Sequence, residues 1–423
     1  MAAPLLDPDA ALQRVLAACP TLPTERCRVV ELAIPGSAPR ILRAAVASPR
    51  ALPPFDNSCL DGFALASNAD VVPAGTELAI EGEQAAGDTA SRARDAGHAA
   101  WAIMTGARVP EGLDRVIAVE CVERLQDPPR IRLLADIYTG QDIRRAGSDV
   151  GAGTRILDAG TALDARHYML LAALGIGHVE VATRPRVAVI CTGKELVDDP
   201  ALPLASGQIY NSHKAYFRNR IPAAGAELVH EETVGDDEPA FAAAFARARA
   251  TGPQVMISSG AVSMGNYDFV PRALRSLGAE ILFHKLAIRP GKPLLFARFP
   301  DGMLYFGLPG NPISAAVGLR FFVERALRAM LGMPLERPYR APLTSAFHKS
   351  AGFRHHLKAR LAVDAGGQLA VTVLDGQESY RIAPLAAANA WALAPGDTTK
   401  LAAGALVDVY GLGHLAAPQP VLP

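Results

Sequence analysis

The chain has 423 residues, half of them apolar and one fifth charged, with 42 basic side chains balanced by 42 acidic ones to a formal net charge of zero. That length exceeds what one hydrophobic core serves and predicts roughly two to four domains. The charge balance withholds the basic footprint that sequence-independent nucleic-acid binding needs, so no nucleic acid is expected as a partner.

The longest apolar stretch, Tyr168 to Gly177, falls far short of the roughly 20 residues that span a bilayer, so no membrane is expected either. Asp7 and Asp9 precede the first apolar run and no basic segment leads it, which predicts no secretory signal and a cytoplasmic protein. Cys19, Cys27, Cys59, Cys121 and Cys191 are odd in number and widely spaced, the pattern of buried reduced thiols rather than of a disulfide framework or a zinc site. The adjacent His355 and His356 lack the helical i, i+4 spacing of a metal-binding pair.

In chain order, residues 6–19 predict an amphipathic helix, followed by a Pro-interrupted segment to Pro54. From about 60 to 145, short apolar runs (Glu77–Ile80, Ala100–Met104, Val116–Cys121, Ile131–Leu134) alternate with Gly, Asp and Pro clusters and predict a small β-rich domain. A helix is expected over Asp164–Leu174, ending at Gly175. Beyond Arg186 the apolar runs Val187–Ile190, Val255–Ser258, Ile281–Ile288 and Met303–Phe306 resemble strands covered on both faces. Helix signatures lie between and after them: Asp236 and Asp237 ahead of Pro239, Pro271 to Gly278, and Asn311-Pro312 opening a run to about Leu331. Strand and helix in alternation predict a parallel sheet with ligands beyond its carboxyl ends. Leu361–Val363, Leu369–Leu374 and Leu406–Tyr410 predict a closing β domain.

Three segments and a set of carboxylates carry chemistry. Residues 257–268, with Ser259, Gly260, Ser263 and Gly265, have the composition of an anion cradle, in which small residues let backbone N–H groups approach phosphate oxygens; the same composition describes a tight strand-to-helix turn. Pro309, Gly310 and Pro312 form a second turn of this kind, which a structural stop also explains. In an extended strand Lys285 and Arg289 share one face, and Gly291 and Lys292 follow across a turn, so three cations converge; an edge strand would also display Lys. Glu195, Asp236 and Asp268 follow strands of the same sheet, and carboxylates beside cations suggest polyphosphate with Mg²⁺, although Asp236 is equally placed to cap a helix.

The run Pro53-Pro54-Phe55-Asp56-Asn57-Ser58-Cys59-Leu60-Asp61-Gly62-Phe63-Ala64 resembles the signature of the molybdopterin molybdenumtransferases, the MoeA and gephyrin E-domain family. Further matches follow in the same order: Met104-Thr105-Gly106-Ala107, Ile143 to Asp149, Thr192 to Leu196, Gly207 to Asn211, and the three loops above. The resemblance implies an α/β multidomain protein in which a three-layer α/β domain with parallel sheet, similar to Mog and MoaB, joins β-rich small domains and a C-terminal β-barrel-like domain. The implied partition is 1–58 with 146–182 for dimerisation, 59–145 for the small β domain, 183–334 for molybdopterin binding and 335–423 for the last domain. The implied reaction inserts molybdate into adenylylated molybdopterin and releases AMP with Mg²⁺ as cofactor. Asp61, Thr105, Asp149, Glu195, Asp236, Asp268 and Lys285 match functional positions of that family, and Lys358 and Ser379 align loosely with ligand positions. The implied assembly is a homodimer in which Asp61 and Thr105 reach the other subunit's α/β domain, with molybdopterin adenylyltransferase and molybdoenzyme chaperones as pathway partners.

The chain departs from the family pattern at Ala261, where Gly is usual, at Lys194, at Arg289 and at Pro222. Arg289 keeps the charge and can bind phosphate bidentately. An alanine at 261 is strained if the loop needs positive φ there. Ala261 and Lys194 motivate the alternative, a divergent relative that binds or delivers the cofactor, or handles tungstate, without efficient molybdate insertion.

Overall fold

The computed structural model describes residues 5–34, 36–94, 97–261 and 269–421. It divides into two compact units: the described residues of Met1–Ala44, Ala159–Asp164 and Glu180–Pro423 form one, and those of Ala45–Asp158 and Ala165–Val179 the other. No described helix is long and apolar enough to cross a membrane. The five cysteines are free thiols, but only Cys191 is buried; the others are half-buried at the edges of the packing, a correction to the expectation of buried thiols.

The larger unit is organised by a six-stranded sheet. Its elements are β1 (Arg186–Thr192), α1 (Ser212–Ala223), β2 (Glu227–Val234), α2 (Glu238–Ala250), β3 (Val255–Ser259), α3 (Val270–Ser276), β4 (Glu280–His284), β5 (Leu295–Arg298) and β6 (Leu304–Leu308). The strand order is β2-β1-β3-β6-β5-β4. Period-two alternation explains the three layers: Val187, Val189, Ile257, Leu304 and Phe306 enter one core with Phe217 and Ile221 of α1, whereas Ala188, Ile190, Met256 and Tyr305 enter a second with Phe241 and Phe245 of α2 and Leu274 of α3. Both faces of each central strand are apolar, so helices must cover both.

One strand departs from the expected parallel order. β5, which no apolar run announced, pairs antiparallel with both β6 and β4. Every strand except β5 therefore ends at the same sheet edge. The predicted strand Ile281–Ile288 is broken: β4 ends at His284, Lys285 is left-handed at φ +78°, and Ile288–Arg289 joins a different sheet. The expected common face for Lys285 and Arg289 is corrected accordingly, because period-two geometry holds only along continuous extended backbone.

After β6 a helical run from Pro312 to Met330 contains a π-helical segment at Leu319–Val323. The following sheet has the order Ile288–Arg289, Arg354–Val363, Ala390–Ala394, Leu406–Gly411, Tyr339–Pro342, with Leu369–Val373 also on Arg354–Val363. The N-terminal helix Pro8–Ala18 is capped by Asp7, which accepts from the Asp9 and Ala10 amides, and buries Ala11 and Val15 in the main core. Asp9 also receives both guanidinium nitrogens of Arg354 at 2.6 Å.

In the smaller unit, six strands run in the order Arg115–Ala118, Gly62–Leu65, Ala99–Ile103, Glu77–Gln84, Arg130–Leu133, Val122–Leu125. Gly62 is required by close approach, since a Cβ there would lie 1.9 Å from the Ile117 carbonyl oxygen. The helix Ala165–Ala173 belongs to the same unit.

Candidate active site

Two clefts open on the edge where the parallel strands of the larger unit end. The first, of about 740 Å³, is lined by Thr192 at the end of β1, Asp236 after β2, Ser259, Gly260 and Ala261 at the end of β3, and Pro309, Gly310 and Pro312 after β6. Glu195, Tyr210, Asn211, His213 and Tyr380 also stand in its wall. The loop after β3 turns through two left-handed residues, Gly260 at φ +97° and Ala261 at φ +51°. A Cβ on Gly260 would stand 2.5 Å from Thr192 Oγ1, so only glycine fits between the ends of β1 and β3. Thr192 Oγ1 donates to the Ser259 carbonyl at 3.1 Å, and the Gly260 amide donates to the Leu308 carbonyl at 3.0 Å, which holds the three strand ends together. Ala261 thus occupies the conformation in which an L-residue is strained.

The carboxylates at this edge divide their duties. Asp237, not Asp236, caps α2 by accepting from the Ala240 amide at 2.9 Å. Asp236 instead accepts from the Lys194 amide at 3.3 Å and faces the cleft with Glu195. The capping explanation for Asp236 is thereby withdrawn. Asn211 caps α1 through the Lys214 amide at 3.0 Å, and its amide group donates to Asp198 and Thr233, each at 3.0 Å. Burial works against the Asp198 carboxylate, but hydrogen bonds from Lys214, Thr233 and Asn211 outweigh it and hold its pKa below the usual range. Burial pulls His213 down to about 4, leaving it neutral at pH 7. The N-termini of α1 and of the helix opening at Pro312 both meet the cleft, a field that favours anions.

The second cleft, of about 790 Å³, shares Pro293, Asn311 and Tyr380 with the first and is lined by Arg289, Gly291, Lys292, Lys349, His355 and Ser379. It arises because Ile288–Arg289 pairs with Arg354 and His355 in parallel, bringing the cationic segment alongside the last sheet. Burial, with Lys349 and Arg289 nearby, pulls His355 down to about 4. Lys285 follows β4 at the same sheet edge, its amide donating to the Leu294 carbonyl at 3.0 Å, but it is absent from the described lining of both clefts. Ser263, Gly265 and Asp268 lie outside the described residues.

In the smaller unit the signature segments meet one another. Asp61 accepts from the Thr105 amide at 2.7 Å and from its hydroxyl at 2.8 Å, bonds that lower its pKa, the amide most. Asn57 and Ser58 pair with Arg144 and Ile143, and Asp56 accepts from the Ala146 amide and Arg145, both at 2.7 Å. Asp149 is exposed, its amide donating to the Leu52 carbonyl at 3.0 Å.

Residue reading alone did not place His213, Lys349, His355 or Tyr380 at a site. Asn211 was a legible N-cap signal that would have brought His213 to the same edge. Nothing local marks the others, since they reach the clefts only through pairing of the last sheet with residues 288–289.

Comparison with known proteins agrees with this geometry. Residues 6–175 match the MoeA N-terminal region (domain I and II), 188–329 the family described as "Probable molybdopterin binding domain", and 340–412 the MoeA C-terminal region (domain IV). The chain is 36% identical over 415 residues to the molybdopterin molybdenumtransferase of Synechococcus elongatus, covering 96% of this chain and all of that one. The chain belongs to the MoeA family. It is also 32% identical to the Bacillus subtilis molybdopterin molybdenumtransferase, over 89% of this chain and 88% of that one. The crystal structure of the Pyrococcus horikoshii molybdopterin biosynthesis MoeA protein superposes with a TM-score of 0.79 at 27% identity, covering 96% of this chain and 99% of the other.

Proposed function

We propose that the chain is a molybdopterin molybdenumtransferase, inserting molybdate into adenylylated molybdopterin with release of AMP in molybdenum cofactor biosynthesis. The observation that carries this reading is the adjacency of two unlike clefts, one with backbone turns, helix N-termini and carboxylates, the other with Arg289, Lys292 and Lys349. A pyrophosphate-bearing pterin nucleotide and an oxyanion make both demands at once. Among the described residues no group of three potential metal ligands is present, but Mg²⁺ typically takes one or two carboxylates and completes its shell with substrate phosphates and water. Glu195 and Asp236 fit that donor chemistry, with Asp268 proposed as a third contributor from its position in the sequence. A bound Mg²⁺ would neutralise phosphate charge.

Within this reading, Ser259, Gly260, Ser263 and Gly265 cradle phosphate oxygens, with Pro309, Gly310 and Pro312 forming the opposite turn. Arg289, Gly291 and Lys292 take the second anionic group, and Lys285 acts from the same sheet edge. The proposed active form is a homodimer, in which Asp61, Thr105 and Asp149 serve the catalytic centre as the family resemblance implies. Purified protein incubated with adenylylated molybdopterin, molybdate and Mg²⁺ is expected to release AMP and to yield cofactor that activates an apo-molybdoenzyme. AMP release no faster than without protein would overturn the proposal.

A further inference from the structure

Lys358 is fully buried in the middle of the strand Arg354–Val363, paired opposite Trp391. The side chain is turned away from solvent, toward the protein's own backbone. Its ammonium donates to three carbonyl oxygens of one loop: Gly376 at 2.6 Å, Arg381 at 3.0 Å and Glu378 at 3.4 Å. An ammonium has three donors, so none remains for a substrate. Its hydrogen-bond partners include no carboxylate; its charge is met by converging carbonyl dipoles. The main chain adds to the same joint, with the Lys358 amide donating to Gln377 Oε1 at 3.0 Å and Gln377 Nε2 donating to the Lys358 carbonyl at 2.9 Å.

The loop so held stands at the wall of both clefts. Tyr380 lines both, and Gln377, Glu378 and Ser379 line the cationic one. The Ser379 carbonyl accepts from the Ile313 amide at 2.9 Å, at the start of the helix whose preceding turn is Pro309 to Pro312. Asn311 stands at the cap position of that helix without a capping bond from its side chain, so the loop satisfies an amide the cap leaves open.

The geometry points to Lys358 as a positioning residue: by gathering three carbonyls of residues 376–381 it fixes the wall shared by the two clefts and the turn that opens the Pro312 helix. This inference rests on the proposed molybdenumtransferase reading for its effect on substrate, and on the hydrogen bonds alone for its effect on the loop. Removing the ammonium would orphan the Gly376 and Arg381 carbonyls and leave the Glu378 carbonyl to the Arg381 amide alone, at 3.2 Å, so the loop could satisfy the first two only by moving toward water.

The test uses the full-length protein as wild type, Lys358→Met and Lys358→Arg. Amide hydrogen exchange without substrate is expected to accelerate at least tenfold across 376–381 and at Ile313 in Lys358→Met, with β1 and β3 unchanged. The KM for adenylylated molybdopterin should rise about tenfold while kcat stays within about threefold; a mere loss of folded protein would lower kcat and leave KM alone. Lys358→Arg, which keeps the charge and several donors, should restore both readouts to within about threefold. Unchanged exchange over 376–381 in Lys358→Met, or faster exchange with unchanged KM, would overturn the inference. If Lys358→Met does not fold, Gln377→Ala loosens the same joint without touching the buried charge and is expected to give the same pair of changes. An inactive wild type would remove the proposed function and leave the exchange result standing.

Discussion

The two clefts meet at Pro293, Asn311 and Tyr380 yet are built from opposite materials. The first has Glu195 and Asp236 but neither Lys nor Arg in its described lining, and its anion affinity comes from backbone turns and helix N-termini. The second has Arg289, Lys292 and Lys349 against Glu378, the one acid in its described lining. The difference teaches that one sheet edge offers fixed dipoles, which stay where the fold puts them, and long cationic side chains, which salt screens.

Removing a carboxylate should separate the clefts most clearly. Glu195→Gln or Asp236→Asn is expected to lower the Mg²⁺-dependent rate of AMP release by at least about 100-fold, or ~2.7 kcal/mol, with melting unchanged within a few degrees. A rate within threefold of wild type in both variants would take the carboxylates out of the mechanism.

The cationic cleft also carries the larger acid liability. His356, fully buried against Phe321 in its wall, is pulled down to about 3 by burial, with Arg354 and His355 adding to the effect. Its neutral form is favoured in the folded state, so its contribution is complete above the unfolded value of about 6.5 and is lost as pH falls toward 3. Between pH 7 and 5 the loss is about 2 kcal/mol, which denaturant titration of wild type against His356→Phe would read as a flatter profile in the variant. Parallel profiles would assign the acid sensitivity elsewhere, the buried His414 at about 3 and then His213 and His355 at about 4 being the next groups.

Lys292→Ala should weaken oxyanion binding about tenfold, or ~1.4 kcal/mol, in calorimetric titration with molybdate at low salt, with a smaller loss at high salt. An effect of equal size at every salt concentration would contradict screening of an exposed side chain. The smallest change concerns the first cleft: Ala261→Gly relieves a left-handed alanine but adds freedom to the unfolded chain, for a net gain of about 0.5 kcal/mol in denaturant unfolding. Destabilisation by that variant would mean that the partly buried Ala261 methyl contributes more through packing against the second core than the backbone loses to strain.

The sheet was legible because Val187–Ile190, Val255–Ser258 and Met303–Phe306 are apolar on both faces, a local property that survives any tertiary arrangement. β5 escaped because Leu294–Ala297 follows a Pro-Gly-Lys-Pro turn too closely to be set apart from it by pattern. The error at Lys285 has a similar source: the apolar spacing of Ile281, Phe283, Leu286 and Ile288 says nothing of a left-handed residue between them. Of the site, the turns at 259–261 and 309–312 and the carboxylates were readable from composition. Lys349, His355 and Tyr380 were not, because they come to the cleft through pairing between residues more than sixty positions apart.

Residue order alone thus settled which segments carry charge, which are glycine-dependent and which must be covered on both sides, since each follows from side-chain chemistry within a few neighbours. Which carboxylate caps a helix and which is left to the cleft, whether Lys358 reaches water or a cage of carbonyls, and how the edge splits into a dipolar and a cationic hollow were decided by the packed chain. Those outcomes turn on hydrogen-bond partners distant in sequence, and a buried polar group takes whichever partner the fold places within about 3 Å.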